Sequence, residues 1–280
     1  MLMRRNSWTA IATTFLLSCS CLCFCLVKPS YVYIYHGCSQ EKYPPGTTPF
    51  ESNLNSLLSS AVSSTSQSSY NAFSIGNDTS PDSAIFGLYQ CRGDLKLPDC
   101  SECVRSAVSQ IGLACPYSYG ASLQLEGCYV RYEHVDFLGR PDTSLRYNKC
   151  SKREVTDDAE FPRRRDTVLA ELRGDTGFHV TFSGSVSGFG QCLGDLSSSD
   201  CSACISDAVN NLKTLCGSAA AGDVFLAQCH ARYWASGYYN YASESSSGDR
   251  VGKAVAVIIG VVAALSVLVV LLSLCKRAMG

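Results

Sequence analysis

Residues 90–103 read QCRGDLKLPDCSEC, and residues 191–204 read QCLGDLSSSDCSAC. Both stretches contain the spacing Cys-x8-Cys-x2-Cys, and the residues around the cysteines are similar as well. Cysteines at positions 91, 100, 103, 115 and 128 recur, at a constant offset of 101, at positions 192, 201, 204, 216 and 229. The chain therefore contains an internal repeat. Cys38 and Cys150 complete an even set of six cysteines in each repeat unit.

The overall composition excludes several classes of protein. The chain has 280 residues, of which 46% are hydrophobic and 17% charged, so it can build cores, and neither disorder nor a coiled coil describes it. Its 23 Lys and Arg balance 24 Asp and Glu, which leaves no general basic surface for nucleic-acid phosphates. The 17 Cys against 3 Met indicate an oxidising compartment, a metal site or a clustered membrane segment.

The amino terminus has the pattern of a secretory signal peptide. Arg4 and Arg5 precede an uncharged, largely apolar stretch over residues 6–27, and small residues suited to cleavage follow it. We therefore predict a signal peptide over residues 1–30. The alternative is an uncleaved amino-terminal anchor, because the apolar run is long for a signal. Both interpretations export the segment that follows.

A second apolar segment is typical of a membrane-spanning helix. Residues 254–274 carry no charge and are followed by Cys275 and two basic residues. At about 1.5 Å per residue, a helix of this length spans roughly 31 Å, which matches a bilayer core. We predict a single-pass type I protein with a stalk over residues 243–253, the spanning helix over 254–274 and a cytosolic tail over 275–280. Cys275 is a candidate palmitoylation site.

The twelve repeat cysteines are predicted to be structural. Their number is even, the chain is exported, and no His stands in a ligand-like spacing beside the Cys-x2-Cys pairs, so disulfides are favoured over zinc or redox chemistry. We expect no metal and no cofactor. A bridge that closes a loop of about 10 to 80 residues contributes roughly 2.5 to 4.5 kcal/mol by loop entropy. Spacing alone leaves many connectivities open in each unit.

Helix and strand signals recur within each unit. Thr48-Pro49-Phe50-Glu51 predicts a capping box at a helix start, and an apolar face then continues to Val62. Asp99 and Asp200 are predicted to cap a second helix in each unit, with the cysteines on its apolar face. Alternating segments predict strands around residues 70–75, 84–90, 122–132, 178–183 and 225–233.

These elements predict the fold class and the domain boundaries. We expect an α+β fold with two tandem disulfide-rich domains, each a small antiparallel sheet with two helices packed on it. The first domain is placed at residues 31–138 and the second at residues 139–242. One C-terminal transmembrane helix completes the chain.

The repeat motifs resemble a known plant family. FGLYQCRGDL with DCSEC, and GQCLGDL with DCSAC, resemble the cysteine-rich repeat (stress-antifungal) family named for the ginkgo antifungal protein ginkbilobin. Two such units, a signal peptide, one spanning helix and a minimal tail resemble the plasmodesmata-located proteins within it, over nearly the whole chain. Receptor-like kinases would need a kinase domain, and secreted relatives would lack the spanning helix, so both fit less well.

The resemblance also implies a disulfide connectivity. The family's bridges join the first Cys of a unit to the fifth, the second to the third, and the fourth to the sixth. Carried over to this sequence, the pairs are Cys38 with Cys115, Cys91 with Cys100, Cys103 with Cys128, Cys150 with Cys216, Cys192 with Cys201, and Cys204 with Cys229.

The family also provides a sugar site for comparison, because ginkbilobin binds mannose through an Asn, an Arg and a Glu. Of these three, only Glu133 is matched here. A lone Glu cannot replace the donors and the charge of the missing Asn and Arg, so mannose binding by that mode is not expected. The corresponding positions are Ser39, Ser122 and Glu133 in the first unit, and Ser151, Asp223 and Trp234 in the second.

Other chemical signals in the exported part are weak. The four histidines, His36, His134, His179 and His230, stand in no catalytic motif, so we do not expect an enzyme. Arg163, Arg164 and Arg165 form a basic run, which is read either as a solvated helix face or as a site for an acidic wall polymer. Asn77 begins a glycosylation sequon.

The resemblance implies a function. It is that of a non-enzymatic membrane protein of plasmodesmata, with its ectodomain in the apoplast, which promotes callose deposition, restricts cell-to-cell movement and takes part in plant defence. Implied partners are viral movement proteins, receptor-like kinases, cell-wall polysaccharide and further copies or relatives of the chain, but not nucleic acid. The alternative is a membrane-tethered carbohydrate-binding or antifungal defence lectin, or a co-receptor, at the plasma membrane.

Overall fold

A computed structural model describes residues 31–46, 48–76, 83–174 and 177–238. The chain forms two compact units. The predicted signal peptide, Asn77, the stalk, the spanning helix over 254–274, the tail and Cys275 lie outside the described residues. Within the described ranges, no helix combines the length and the apolar character that crossing a bilayer requires.

The first unit is a five-stranded antiparallel sheet with two helices. The strands lie in the order β1-β4-β5-β3-β2, and every neighbouring pair is antiparallel. In chain order, the elements are β1 (Tyr33–Cys38), α1 (Pro49–Ser64), β2 (Tyr70–Ile75), β3 (Ile85–Cys91), α2 (Leu97–Ala114), β4 (Gly120–Leu125) and β5 (Cys128–Glu133).

The second unit repeats this arrangement. Its strands lie in the order β6-β9-β10-β8-β7, and β9 pairs antiparallel with both β6 and β10. In chain order, the elements are β6 (Leu145–Cys150), α3 (Phe161–Glu171) with a short 3-10 turn (Leu172–Gly174), β7 (Phe178–Ser183), β8 (Val186–Cys192), α4 (Ser198–Cys216), β9 (Ala221–Leu226) and β10 (Cys229–Ala235). Two disulfide-rich units, each with an antiparallel sheet and two helices, confirm that part of the predicted fold.

The core of the first unit lies between its sheet and its helices. Alternate residues of β5 face the helices, and the strand's remaining residues face the opposite side. A single cluster of buried side chains therefore joins both helices to one face of the sheet. Its members on these three elements are Phe50, Leu54, Leu57 and Ala61 of α1, Cys100, Cys103, Val104, Ala107 and Ile111 of α2, and Cys128, Val130 and Tyr132 of β5.

The start of α1 is where the sequence predicts it. The hydroxyl oxygen of Thr48 accepts a hydrogen bond from the Glu51 N–H at 3.1 Å, and Pro49 occupies the first turn. The Thr48 N–H donates to the carbonyl of Gly46 at 2.7 Å. The N-cap is therefore confirmed, whereas the Thr48 N–H is satisfied by a turn carbonyl and not by the Glu51 side chain of a full capping box.

The predicted caps of the second helix in each unit are wrong. Helix α2 begins at Leu97, with Lys96 at the N-cap position and Asp99 in the first turn, because Pro98 is well suited to the first turn of a helix. Helix α4 begins at Ser198, and the hydroxyl of Ser197 accepts from the Asp200 N–H at 3.2 Å. Both aspartates therefore lie inside the helix, near its positive end.

Two predicted strands are in fact hairpins, and three strands were not predicted. Residues 122–132 contain β4 and β5, and residues 225–233 contain parts of β9 and β10, because alternation of apolar residues continues across each tight turn. Strands β1 and β6 are edge strands with hardly any buried residue, so they show little alternation of apolar and polar side chains. Strand β8 contains Gly188 and Gly190, and glycine lowers the strand signal.

Candidate functional site

The disulfides fix the helices to the sheets. The pairs are those that the family resemblance implies. In the first unit they join β1 to the end of α2, β3 to the start of α2, and α2 to β5, and the second unit repeats this pattern. The bridges are Cys38–Cys115, Cys91–Cys100, Cys103–Cys128, Cys150–Cys216, Cys192–Cys201 and Cys204–Cys229.

Because they are bridged, the repeat cysteines in the described part of the chain are not available for thiol chemistry. Cys91, Cys100 and Cys103 are fully buried, and a disulfide sulfur carries no thiolate for metal binding or exchange. Among the residues that the structure describes, no cluster of three or more His, Cys, Asp or Glu side chains could hold a metal ion. The framework therefore fixes the positions of the side chains around it.

The three first-unit positions that correspond to the mannose site lie together at one end of the sheet. Ser39 follows β1, and its N–H donates to the carbonyl of Gly120 at 2.7 Å. Gly120 lies opposite Glu133 in the pairing of β4 with β5, and Ser122 lies opposite Arg131. The fold thus brings Ser39, Ser122 and Glu133 close to each other, although their sequence positions are far apart.

Glu133 is already paired within this site. The Nε of Arg131 donates to its carboxylate at 3.2 Å, and the Arg131 guanidinium lies 4.0 Å from the ring centroid of Phe137. Two serines and a neutralised carboxylate then face the solvent in place of the Asn, Arg and Glu that hold mannose in ginkbilobin. Part of the hydrogen-bonding capacity of Glu133 is therefore already used by Arg131.

The second unit has different side chains at the positions that correspond to the mannose site. Arg232, which is 5% exposed, donates from Nε to the carboxylate of Asp223 at 2.7 Å. The Trp234 ring meets Phe189 edge-on at 6.0 Å between centroids, and it carries no acceptor for a sugar hydroxyl. Because Asp223 is committed to a largely buried ion pair, neither unit contains a complete mannose set.

The basic run of α3 is occupied by neighbours within the second unit. Arg163 pairs with Glu160 at 2.6 Å, and Arg164 pairs with Asp158 at 2.9 Å. Arg165 pairs with Asp166 at 2.9 Å and donates to the carbonyl of Gly217. Since each guanidinium has a carboxylate partner, the run presents less free positive charge than its sequence indicates.

The histidines make structural contacts. His36 hydrogen-bonds through Nδ1 to the hydroxyl of Tyr33 at 2.7 Å, and Nε2 of His134 lies 3.3 Å from the carboxylate of Glu41. His230 stacks on Phe225 at 5.0 Å between centroids. None of these three contacts places a histidine beside a serine or cysteine nucleophile, so they supply no catalytic arrangement.

The first unit also forms an aromatic cluster that the sequence analysis missed. The ring of Tyr43, after β1, lies 5.2 Å from Phe50 and 5.9 Å from Tyr117, and Tyr119 lies 4.7 Å from Phe50. The four residues come from three separate segments, so no local motif groups them. A comparison of the two repeats could have found them, because the second unit has Val155, Ser218 and Ala220 around its Phe161.

An open cavity of about 370 Å³ lies beside this aromatic cluster, between the middle of α1 and the carboxyl end of α2. We call it the first-unit pocket. Leu113 and Tyr117 stand at its rim, and they are 83% and 49% exposed. Tyr132, which is buried, forms part of its floor. The lining residues are Tyr43, Leu54, Leu58, Ile111, Gly112, Leu113, Cys115, Pro116, Tyr117 and Tyr132.

Comparison with known proteins places the chain in a family. Residues 37–135 and 149–236 each match the Stress-antifung family, described as salt stress response/antifungal. Plasmodesmata-located protein 8 of Arabidopsis thaliana is 58% identical over 254 residues, which cover 89% of this chain and 91% of that protein. The chain belongs to the plasmodesmata-located protein family. Plasmodesmata-located protein 7 of the same plant is 46% identical, over 86% of this chain and 80% of its own length.

Solved structures show the fold of this family's ectodomain. The tandem DUF26 ectodomain of the Arabidopsis thaliana receptor-like protein PDLP8 is 59% identical, with a TM-score of 0.71, and the match covers 74% of this chain and all of that one. The ectodomain of PDLP5 from the same plant is 43% identical, with a TM-score of 0.69, over 73% of this chain and all of its own. Both crystal structures are of the ectodomain alone, and we expect the matching part of the present chain to fold on its own as well.

Proposed function

We propose that this protein is a non-enzymatic, receptor-like protein of plasmodesmata that restricts cell-to-cell movement through the pores by promoting callose deposition. The single observation that carries this proposal is the 58% identity to plasmodesmata-located protein 8 over nine tenths of both chains. The proposal includes anchoring by the predicted helix over residues 254–274, with both disulfide-held units in the apoplast.

The described geometry favours a binding role over a catalytic one. The buried cysteines are bridged, the arginines of the basic run are paired, and the histidine contacts form no catalytic set. Six disulfides instead hold two sheets rigid, which limits the ordering that binding a partner would otherwise require. We propose receptor-like kinases and viral movement proteins as the classes of partner that the two units bind.

The lectin alternative receives less support from the site. The first unit retains only Glu133, and this carboxylate already accepts from Arg131. Titration of the ectodomain with mannose tests the point directly, and we expect no saturable binding. Saturable binding that is lost on Glu133→Gln would favour the lectin function.

Location and callose separate the two functions in cells. A carboxy-terminal fluorescent fusion of the full chain should form discrete wall puncta that coincide with callose staining in plant epidermis. A freely diffusing fluorescent protein should then spread from single expressing cells to fewer neighbours than in cells without the fusion. A uniform outline of the plasma membrane, or unchanged spread, would contradict the proposal.

A matched chain tests whether the ectodomain is needed. Residues 31–242 can be replaced by a fluorescent protein, which leaves the predicted signal peptide, stalk, spanning helix and tail in place. We expect this chain to leave callose and the spread of the diffusing protein unchanged. If it raises callose as strongly as the full chain does, the proposed role of the two units is wrong.

A further inference from the structure

The two units build the same fold but fill one equivalent space differently. Phe50 and Phe161 are both buried at the start of the first helix of their unit. Leu57 lies against Gly87, and Val168 lies against the equivalent Gly188. These matches align the two helices with an offset of 111 residues, so the residue of the second unit that corresponds to Leu54 is Arg165.

In the second unit, the Arg165 side chain extends from the middle of α3 to the carboxyl end of α4. Its guanidinium donates to the carbonyl of Gly217, just after α4, and it lies close enough to Tyr233 to lower the pKa of that hydroxyl. Asp166 balances its charge at 2.9 Å. The Arg165 side chain is only 13% exposed, so a planar cation is held here by a carbonyl and a carboxylate, beside a tyrosine hydroxyl.

In the first unit, the tyrosine hydroxyl and the chain just after the second helix are retained, but Asn55 replaces the carboxylate of Asp166 and the cation is missing. Leu54 is shorter and uncharged, and the first-unit pocket of about 370 Å³ occupies the space beside it. Tyr132, the counterpart of Tyr233, donates to the carbonyl of Ser118 at 3.2 Å and keeps a lone pair for an incoming donor. The last turn of α2 carries no basic residue, although the negative end of a helix dipole favours a cation.

Aromatic rings line the rim of this pocket, and the fold does not require them. The Tyr43 N–H donates to the carbonyl of Tyr117 at 2.9 Å, and at the equivalent place Val155 donates to Ser218 at 3.2 Å. The second unit thus forms the same backbone contact without aromatic side chains. In the first unit the two rings meet edge-on at 81°, and ring faces attract organic cations.

The net charge of the first unit also favours a cation. Residues 31–138 contain 5 Lys and Arg against 10 Asp and Glu, a net charge of −5. Burial, then the charge of Glu51 and then Tyr117 raise the pKa of Tyr43, so its hydroxyl stays neutral at physiological pH.

We propose that the first-unit pocket binds a planar organic cation, a guanidinium or amidinium group on an apolar body, in the place that Arg165 fills in the second unit. The leucines and rings would cover the apolar body, while the tyrosine hydroxyl and the carbonyls after α2 would accept from the cation. This inference goes beyond the proposed function and does not rest on it.

A matched pair of probes tests the inference on the isolated ectodomain. Benzamidine carries a planar cation on an aromatic ring, and benzamide has nearly the same shape without the charge. In calorimetric titrations we expect saturable binding of one benzamidine per chain and at least a tenfold weaker affinity for benzamide. Absence of benzamidine binding, or equal affinity for both probes, would overturn the proposal.

Two further probes distinguish the source of the cation. Agmatine presents a guanidinium on a free small molecule, and an acetylated, amidated arginine presents it as a protein side chain does. Tighter binding of agmatine would assign the site to small molecules, and tighter binding of the arginine derivative would assign it to a protein partner. Failure of both to compete with benzamidine would contradict the guanidinium assignment.

Variants locate the binding at the first-unit pocket. Leu54→Arg combined with Asn55→Asp copies the second unit and should weaken benzamidine binding more than tenfold. Gly112→Trp gives an independent block, because a β-carbon at Gly112 meets no atom within 4 Å and the residue lines the pocket. Ser109→Trp is the control: it adds the same ring one turn earlier on α2, where side chains lean away from the pocket. Unchanged binding in both blocking variants would overturn the proposal.

Discussion

Gly87 lies directly beneath Leu57, so that a β-carbon on Gly87 would stand 2.7 Å from a methyl carbon of Leu57 and 3.0 Å from the carbonyl oxygen of Arg131. The second unit repeats this relationship, with 2.6 Å from the β-carbon position of Gly188 to Val168. In both units, therefore, the first helix approaches the sheet more closely than any side chain larger than hydrogen would permit. The close approach is a property of the repeated fold.

Substitution at this contact should destabilise the first unit. Gly87→Ala forces the helix or the strand to move, and overpacking of this kind costs about 1–3 kcal/mol. Urea denaturation of the ectodomain measures the change in the free energy of unfolding. Gly112→Ala is the control, because its added methyl meets open space and replacing a helical glycine gains about 0.5–1 kcal/mol. Equal stability of the two variants would contradict the packing argument.

The disulfides should differ in their contribution to stability according to the loop that each closes. Cys38–Cys115 spans 77 residues and Cys91–Cys100 spans 9. Loop entropy predicts a loss of about 4.5 kcal/mol when the first pair is replaced by alanines and about 2.6 kcal/mol for the second pair. Denaturant unfolding of the two double variants checks the order. A larger loss for the short loop would show that strain or packing, rather than loop entropy, dominates.

Much of this fold follows from local sequence signals. Phe50 and Leu57 recur at helical spacing after Thr48, and the cysteines of α2 share one apolar face, so both first-unit helices could be predicted. Strand β8 could not be predicted, because Gly188 weakens its apolar pattern. Glycine is needed at this position because Val168 approaches the strand closely. That requirement comes from a contact between separate segments, which no local pattern contains.

The candidate sites also combine features that the sequence shows with features that only the structure shows. The absence of the Asn and Arg of the mannose site was visible in the sequence, whereas the pairing of Glu133 with Arg131 depends on their positions within one strand and on the fold around them. The first-unit pocket differs from the equivalent place in the second unit chiefly because Leu54 replaces Arg165 and because Tyr43 and Tyr117 replace Val155 and Ser218. The pocket can be recognised as the counterpart of the Arg165 site only from the structure, because Tyr132 and Tyr233 occupy equivalent places in the two units.

The N-cap of α1 offers a test at the level of a single hydrogen bond. Thr48→Ala removes the acceptor of the Glu51 N–H, and loss of such a cap costs about 0.5–2 kcal/mol. Thr48→Ser keeps the oxygen and should remain within a few tenths of a kcal/mol of the natural chain. Thermal unfolding followed by far-ultraviolet circular dichroism compares the two variants. A similar loss in both would show that the methyl group of Thr48, and not its hydroxyl, is what matters.

Alkaline pH should destabilise the second unit through Tyr233. Burial, only partly offset by Arg165, raises the pKa of this tyrosine from 10.0 to about 12. The folded state therefore holds the phenol proton more tightly than the unfolded state does. The resulting stability is fully present below pH 10 and is lost as the pH rises through 12.

The size of this loss can be measured with one variant. A difference of two pKa units corresponds to about 2.7 kcal/mol, which Tyr233→Phe should remove from the pH dependence of the free energy of unfolding. The variant should be less stable than the natural chain at pH 8, because the hydroxyl no longer donates to the carbonyl of Ala219 at 3.0 Å. Between pH 8 and pH 12 it should then lose less stability than the natural chain. Parallel losses in the two proteins would mean that Tyr233 does not ionise on unfolding in this range.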